Sequence, residues 1–183
     1  MTATTQPFIG TFVADQAHSS FQFEVVHMLV SSYRASFEDV TASVVVDEHG
    51  ARLEGRVKVD SISIRTPAAF REHVINGKDF FDGANHPEIT FRSEDVRLAE
   101  DNTLSGKGQL TIKGITKPIV AAGTYKPLVE DPYGSQRTAI QIEATVDRRD
   151  WDMDWQAPLP KGGDALGYEV RLTANIELVK QGD

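Results

Sequence analysis

The segment Tyr168-Glu-Val-Arg-Leu-Thr-Ala-Asn-Ile-Glu-Leu178 alternates between apolar and polar residues along its whole length. Successive side chains of a β-strand point to opposite faces, so the segment predicts a long strand with one apolar face and one solvated face. Several such strands with little helix are typical of a barrel or a sandwich. The functional question is therefore what the inner face encloses.

The same alternation recurs through most of the chain. Turn signals separate the runs at Glu48-His49-Gly50, Lys113-Gly114 and Glu130–Gly134. About eight long strands are predicted, which indicates an all-β, eight-stranded antiparallel barrel wide enough for one ligand. Besides the last strand and a short first strand at Phe8–Val13, the predicted long runs are Ser20–His27, Tyr33–Asp47, Leu53–Val59, Glu88–Ala99, Leu104–Ile112, Lys117–Tyr125 and Ile140–Val146.

One long run contains a change of register. Phe37 and Val40 cannot share a face by strict alternation, although both are apolar. A β-bulge inserts one extra residue and shifts the faces in this way. A bulge near Glu38-Asp39 is therefore predicted within the strand Tyr33–Asp47.

The strand period breaks once, at Pro67–Gly77, where the sequence predicts a short helix. Pro67 fits the first turn, Thr66 is in position to cap it, and Gly77 can end it. Phe70 and Val74 then share one helix face at a spacing of four residues. We expect the helix and the following loop through Asp82 to pack over one end of the barrel.

Composition narrows the class of protein. The chain has 183 residues, which suggests one domain over residues 8–180 after a flexible tail over residues 1–7. A net charge of −8 argues against nucleic acid and anionic membrane surfaces as partners. The absence of cysteine excludes disulfides and thiolate metal sites. No apolar stretch reaches transmembrane length, and the first residues lack the basic and apolar segments of a secretory signal. We therefore expect a cytoplasmic protein without stable membrane insertion. A homodimer is compatible with the sequence.

Several segments of the chain form a recognisable pattern when they are taken together. They are Asp15–Phe21, Val26–Val30, Arg71–His73, Lys78–Asp82, His86–Phe91, Gly108–Pro118, Asp131–Gly134 and Val146–Arg148. In order and spacing, from about residue 8 to residue 180, they resemble the YceI-like family, the polyisoprenoid-binding, lipocalin-like domain. Arg71-Glu72 departs from the Arg-Asp pair of many members but keeps the charge.

The resemblance implies an extended antiparallel barrel of lipocalin type. It also implies a long apolar tunnel for an amphiphile such as a polyisoprenoid, an isoprenoid quinone or a fatty acyl compound, with no catalysis and no cofactor. The residues alone leave two alternatives open. One is an enzyme that acts on an isoprenoid or lipid head group through His27 and a nearby carboxylate. The other is a stress or interaction protein whose barrel is filled by side chains.

The candidate ligand-binding residues lie on the predicted inner faces or on the helix and loop. Strand alternation also predicts that Val57, Ala144 and Leu172 line the interior, because each falls on the inward face of its strand. The candidates are Phe21, Phe23, Val25, His27, Phe70, Arg71, Val74, Phe80, Phe81, Leu110, Ile142 and Val170.

Most of these candidates also have a structural interpretation. His27 either meets a ligand head at the barrel mouth or is a hydrogen-bonded histidine in the wall. Arg71 and His73 either meet an anionic or carbonyl head, or form ion pairs with Glu72 or Asp79. The aromatic residues of the helix and loop act either as a lid or as a plug.

Two further features carry alternatives. Gly106 and Gly108 share an inner face, where they either leave room for a ligand chain or permit the strand to coil. Asp150, Asp152 and Asp154 suggest a cation site, but their spacing lacks the glycine and distal glutamate of a calcium loop. A solvated acidic loop is favoured there. The histidines form no zinc motif, so no metal site is predicted.

Overall fold

The computed structural model describes residues 6–182. The tail expected at the N-terminus falls mainly on residues 1–5, which lie outside the described residues. Within the described residues, eleven strands form one sheet. In chain order, β1 to β11 span Gly10–Ala14, Ser20–His27, Ser31–Phe37, Val40–Asp47, Gly50–Lys58, Glu88–Leu98, Thr103–Ile112, Ile115–Tyr125, Val129–Glu130, Gln136–Asp147 and Leu166–Lys180.

The sheet closes into an antiparallel barrel through the last strand. β11 pairs with β10 along one side, while on the other side it pairs with β2 over Leu166–Asn175 and with β1 over Leu178–Lys180. The closed circuit runs β11-β1-β4-β5-β6-β7-β8-β10 and back to β11. Eight strands thus close the barrel, as the sequence predicts. A single long, alternating strand can do this because its inner face stays in phase over its whole length.

The predicted strand Tyr33–Asp47 is wrong in one respect. It is two strands, β3 and β4, and Glu38-Asp39 is a complete break rather than a bulge. The amide of Glu38 donates to the carbonyl of Ser61 (3.1 Å), and the carbonyl of Asp39 accepts from the amide of Lys58 (3.2 Å). These two residues therefore bond to the segment at the end of β5 and just after it, which lets β3 pair with β2 while β4 pairs with β1.

The predicted helix is present as α1, Ala68–Asn76. Pro67 occupies the N-cap position, and no side chain from the described part of the chain caps the helix, so the predicted capping by Thr66 is wrong. Gly77 ends the helix, and its amide donates to the carbonyl of His73 (2.7 Å). Within residues 6–182, no helix combines the length and apolar character that spanning a bilayer requires.

The two ends of the barrel differ. At the end where β1 begins, Phe8 packs edge-on against Phe12 (5.1 Å between ring centroids) and Tyr125 (5.8 Å). The hydroxyl of Tyr125 donates to the carbonyl of Ala99 (2.7 Å), and Phe12 is fully buried. This aromatic plug closes that end. The opposite end carries the β2–β3 turn, α1, the β7–β8 turn at Lys113-Gly114 and the irregular segment between β10 and β11.

Candidate functional site

The barrel interior contains two adjoining chambers. The larger lies beneath α1, with about 260 Å³ open to the centre of a water molecule, and the smaller lies deeper, with about 100 Å³. A single water needs about 10–15 Å³ by this measure, so the larger chamber is a substantial cavity. Phe21, Ile89 and Leu172 contribute to both walls, which places the junction between the chambers at these residues.

The sequence-predicted lining residues lie where their phase puts them. Phe21 faces both chambers, and Leu110 and Ile142 face the smaller one. Val57 and Ala144 line the smaller chamber too, and Leu172 lines both. The other candidates that face the larger chamber are Phe23, Val25, His27, Phe70, Val74, Phe80, Phe81 and Val170.

The helix and its following loop form one wall of the larger chamber. Val74 is buried, whereas Phe70 keeps 39% of its surface exposed. Phe81 packs against Phe37 (5.6 Å between centroids), and Phe80 stacks on Trp155 (5.6 Å, 26° between planes). The cover is therefore aromatic and only partly buried. It meets the segment between β10 and β11 through this stacked pair and through the amide of Trp155, which donates to the carbonyl of Asp79 (3.4 Å).

Arg71 does not line either chamber. Its guanidinium donates to the carbonyl of Asp60, which joins α1 to the segment after β5. His73 bonds to the carboxylate of Asp79 (3.0 Å), one of the ion pairs considered from the sequence. His27 is different, since it lines the larger chamber and its ring has no hydrogen-bond partner within residues 6–182.

The segment between β10 and β11 supplies wall residues that the strand pattern could not reveal. Arg148, Met153 and Trp155 line the larger chamber. Gln156 holds the segment in place, because its amide group donates to the carbonyl of Leu166 (2.7 Å) and accepts from the amide of the same residue (3.0 Å). The sequence signal that could have found this wall is Trp155, a large aromatic residue in a stretch without strand alternation.

Arg148 is the most deeply buried charged residue of this wall, with 4% of its surface exposed. Its Nε donates to Gly167 (2.8 Å), Nη1 to Met153, and Nη2 to Trp155 (2.8 Å) and Leu166 (3.3 Å), all at main-chain carbonyls. Burial lowers the pKa of its guanidinium. The charge also lies over the ring of Tyr168 (4.9 Å), a cation–π contact.

Acidic groups elsewhere do not belong to these chambers. Asp150, Asp152 and Asp154 are exposed on the segment after β10. Asp15, His18 and Glu177 bring their ligand atoms within 4.8 Å of one another.

Arg137 bonds to both carboxylates of that second cluster, at 2.8 Å to Asp15 and 2.7 Å to Glu177. The arrangement is an ion-pair network, and hydrogen bonds from Arg137 and then His18 lower the pKa of Asp15 to about 2.

The two glycines of β7, Gly106 and Gly108, lie where a side chain would collide with atoms of the neighbouring strand β6. A Cβ at Gly108 would lie 2.3 Å from a ring carbon of Phe91, so the missing side chain makes room for that ring. A Cβ at Gly106 would lie 2.9 Å from the carbonyl oxygen of Asp95, where the β6–β7 register shifts. Of the two interpretations, strand geometry fits Gly106, while Gly108 accommodates an aromatic wall residue.

Comparison with known proteins places this barrel in a family. The family model of the YceI-like domain matches residues 12–178. A UPF0312 protein of Staphylococcus aureus strain N315 is 30% identical over 168 residues, which cover 91% of this chain and 95% of the relative. Its counterpart in strain MW2 is also 30% identical over the same length, with the same coverage of both chains.

Solved structures show the same fold at low sequence identity. BcnA of Burkholderia cenocepacia superposes with a TM-score of 0.71 at 18% identity, covering 90% of this chain and 98% of its own. A polyisoprenoid binding domain from Saccharophagus degradans gives a TM-score of 0.69 at 12% identity, with coverage of 93% and 98%. The closed eight-stranded barrel, the matched family model and the full-length relatives lead to one conclusion: the chain belongs to the YceI-like family.

Proposed function

We propose that the protein binds, carries or stores one long-chain lipophilic molecule inside the barrel, without catalysis. The observation that carries the proposal is the larger chamber, whose walls are almost wholly apolar and whose cover is a partly exposed helix and loop. The polyisoprenoid-binding domain with the same fold supports a polyisoprenoid as the ligand. An isoprenoid quinone or a fatty acyl amphiphile has the same long apolar chain and belongs to the proposed ligand class for that reason.

Burial of an apolar chain supplies enough free energy for such binding. Each methylene removed from water contributes about 0.8 kcal/mol, so about twenty buried carbons give a large gross gain. A dissociation constant of 1 μM corresponds to about −8.2 kcal/mol. Micromolar or tighter affinity therefore survives a substantial loss of ligand and side-chain freedom.

The two alternatives from the sequence have less support in the geometry. A barrel filled by side chains would leave no chamber, whereas this one holds about 260 Å³ and about 100 Å³. An acid–base enzyme needs a carboxylate beside His27. Among the residues that the structure describes around the larger chamber, no aspartate or glutamate lines the wall.

The direct experiment is to denature the purified protein, extract it with organic solvent and identify lipids by mass spectrometry. We expect one lipid per chain. Val146→Trp is the matched variant, because Val146 faces the larger chamber and a tryptophan there would occupy the space. Loss of the lipid in a folded Val146→Trp variant supports internal binding, and equal lipid in both proteins would contradict it.

A further inference from the structure

The larger chamber has a small polar patch in an otherwise apolar wall. The patch consists of His27, Tyr33, Arg148 and Trp155. Main-chain contacts hold three of these together: His27 pairs with Leu166 across the β2–β11 ladder, and Arg148 donates to the carbonyls of Leu166 and Trp155. Tyr33 lies on the neighbouring strand, paired with Val25.

The polar patch offers hydrogen-bond donors. Arginine and the tryptophan indole can only donate, while tyrosine and neutral histidine can do either. Arg148 has five N–H groups, of which four have main-chain acceptors, and the remaining one is on Nη1. Within the described chain, the indole N–H of Trp155, the hydroxyl of Tyr33 and the ring of His27 have no partner. No aspartate, glutamate, asparagine or glutamine from residues 6–182 lines this chamber.

The charge of the polar patch is positive and not paired. Arg148 forms no ion pair with any described residue, and the adjacent Asp147 is bound to Arg149 (2.5 Å). A buried cation is unfavourable unless a countercharge or strong acceptor meets it. Four main-chain carbonyls satisfy most of its N–H groups, but they leave the net charge in place.

We propose that the polar patch binds the head group of the lipid, and that this head is an oxygen acceptor: a carboxylate, a phosphate or a carbonyl. The apolar chain then lies in the rest of the chamber, so the inference rests on the proposed function. An ammonium head can only donate, and among the described wall side chains only the Tyr33 hydroxyl and the His27 ring could accept from it, while the charge of Arg148 repels it. Acceptor and anionic heads are therefore selected, and cationic heads are rejected.

The test compares heads on one chain length. Hexadecanoate, hexadecyl phosphate, methyl hexadecanoate, hexadecanol and hexadecylammonium compete with a fluorescent apolar probe below their micelle concentrations. We expect the carboxylate and phosphate to bind at least about tenfold more tightly than the ammonium compound, the sum of a few hydrogen bonds and one charge contact. Equal affinity for all five overturns the head-group inference alone. No binding by any of them overturns the proposed function as well.

Two conservative variants locate the effect. Trp155→Phe keeps a ring against Phe80 but removes the indole donor, and Tyr33→Phe removes only the hydroxyl. Each should weaken hexadecanoate about two- to tenfold, because one hydrogen bond is lost, and Trp155→Phe should leave hexadecylammonium unchanged, since an indole N–H cannot accept. Trp151→Phe is the control, since Trp151 lies outside both chambers and donates to Leu110 instead. The inference fails if neither variant alters the ratio between the two ligands.

Discussion

At the scale of single residues, Gly108 makes the sharpest prediction about packing. A Cβ at this position would lie 2.3 Å from a ring carbon of Phe91, whereas a Cβ at Gly55 would find nothing nearer than 3.8 Å. Gly108→Ala should therefore lower the free energy of unfolding by about 1–3 kcal/mol through overpacking. Gly55→Ala should not lower the free energy of unfolding in this way, although Gly55, like Gly108, lies on a strand that lines the smaller chamber. Urea unfolding of both variants measures the difference, and equal stability would contradict the assignment of this space to the Phe91 ring.

A second residue-scale prediction concerns acid stability. Arg137 holds the pKa of Asp15 near 2, below its ordinary 3.8, so the folded state favours the charged carboxylate. This contribution to stability is complete above about pH 4 and is lost as the pH falls through the folded-state pKa. Arg137→Gln should therefore flatten the fall of Tm between pH 4 and pH 2.

Arg97→Gln is the matched control for this measurement. Arg97 is exposed and forms no ion pair with any residue in the 6–182 range, so its loss changes the net charge equally. Thermal unfolding followed by circular dichroism across the pH range compares the three proteins. Parallel curves for Arg137→Gln and the unaltered chain would contradict the assigned ion-pair network.

The residues that line the two chambers fall into two groups, those whose position the sequence pattern predicts and those whose position it does not. Phe23, Ile142 and Val170 follow from period-two alternation, because their strands keep one face inward over many residues. Arg148 and Trp155 do not, since they lie outside the strands, in the segment that joins β10 to β11. Their positions depend on side-chain bonds to distant main-chain carbonyls, which no local pattern encodes.

At the scale of elements, the cover formed by α1 and the loop through Asp82 should control ligand release. Phe80 is only partly buried, and its main partners are Trp155 and His73. Phe80→Ala should speed the release of a bound lipid by opening the stacked contact. Because Phe80 is only partly buried, the substitution should lower the free energy of unfolding by less than about 3 kcal/mol, the lower end of the range for a buried phenylalanine.

Release of a preloaded fluorescent fatty acid measures this effect, with Tm recorded in parallel. Val120→Ala serves as the control, because Val120 is 68% exposed and lines neither chamber. Unchanged release combined with a sharp fall in Tm would show that Phe80 is a structural plug and not part of a gate.

Two elements show why boundaries were harder to predict than faces. The shift of phase between Phe37 and Val40 predicts an interruption of the strand. Whether the interruption is a bulge or a complete break depends on whether the neighbouring strands continue to pair with it. Here Glu38-Asp39 bonds to the end of β5 and the segment after it, so the ladder stops. The start of α1 likewise depends on a chain path set by Pro67 and not on the side chain of Thr66.

At the scale of the whole molecule, the barrel is closed at one end and covered at the other. The aromatic plug of Phe8, Phe12 and Tyr125 blocks the end where β1 begins. A ligand that enters beneath α1 therefore meets the larger chamber first and the smaller one beyond Phe21, Ile89 and Leu172. Under the proposed function, the junction should therefore limit the length of the ligand chain.

The length of fatty acid that the barrel accepts should therefore depend on how open the junction is. Affinity for fatty acids should rise about fourfold per methylene, since each contributes about 0.8 kcal/mol, until the accessible space is filled and the increase stops. Phe21→Ala removes a ring shared by both walls and should move that plateau to longer chains. Ala144→Phe fills the smaller chamber and should move it to shorter ones. Calorimetric titration with acids of increasing length measures all three plateaus. If folded Phe21→Ala and Ala144→Phe variants share the plateau of the unaltered protein, ligand chains do not pass the junction and only the larger chamber is used.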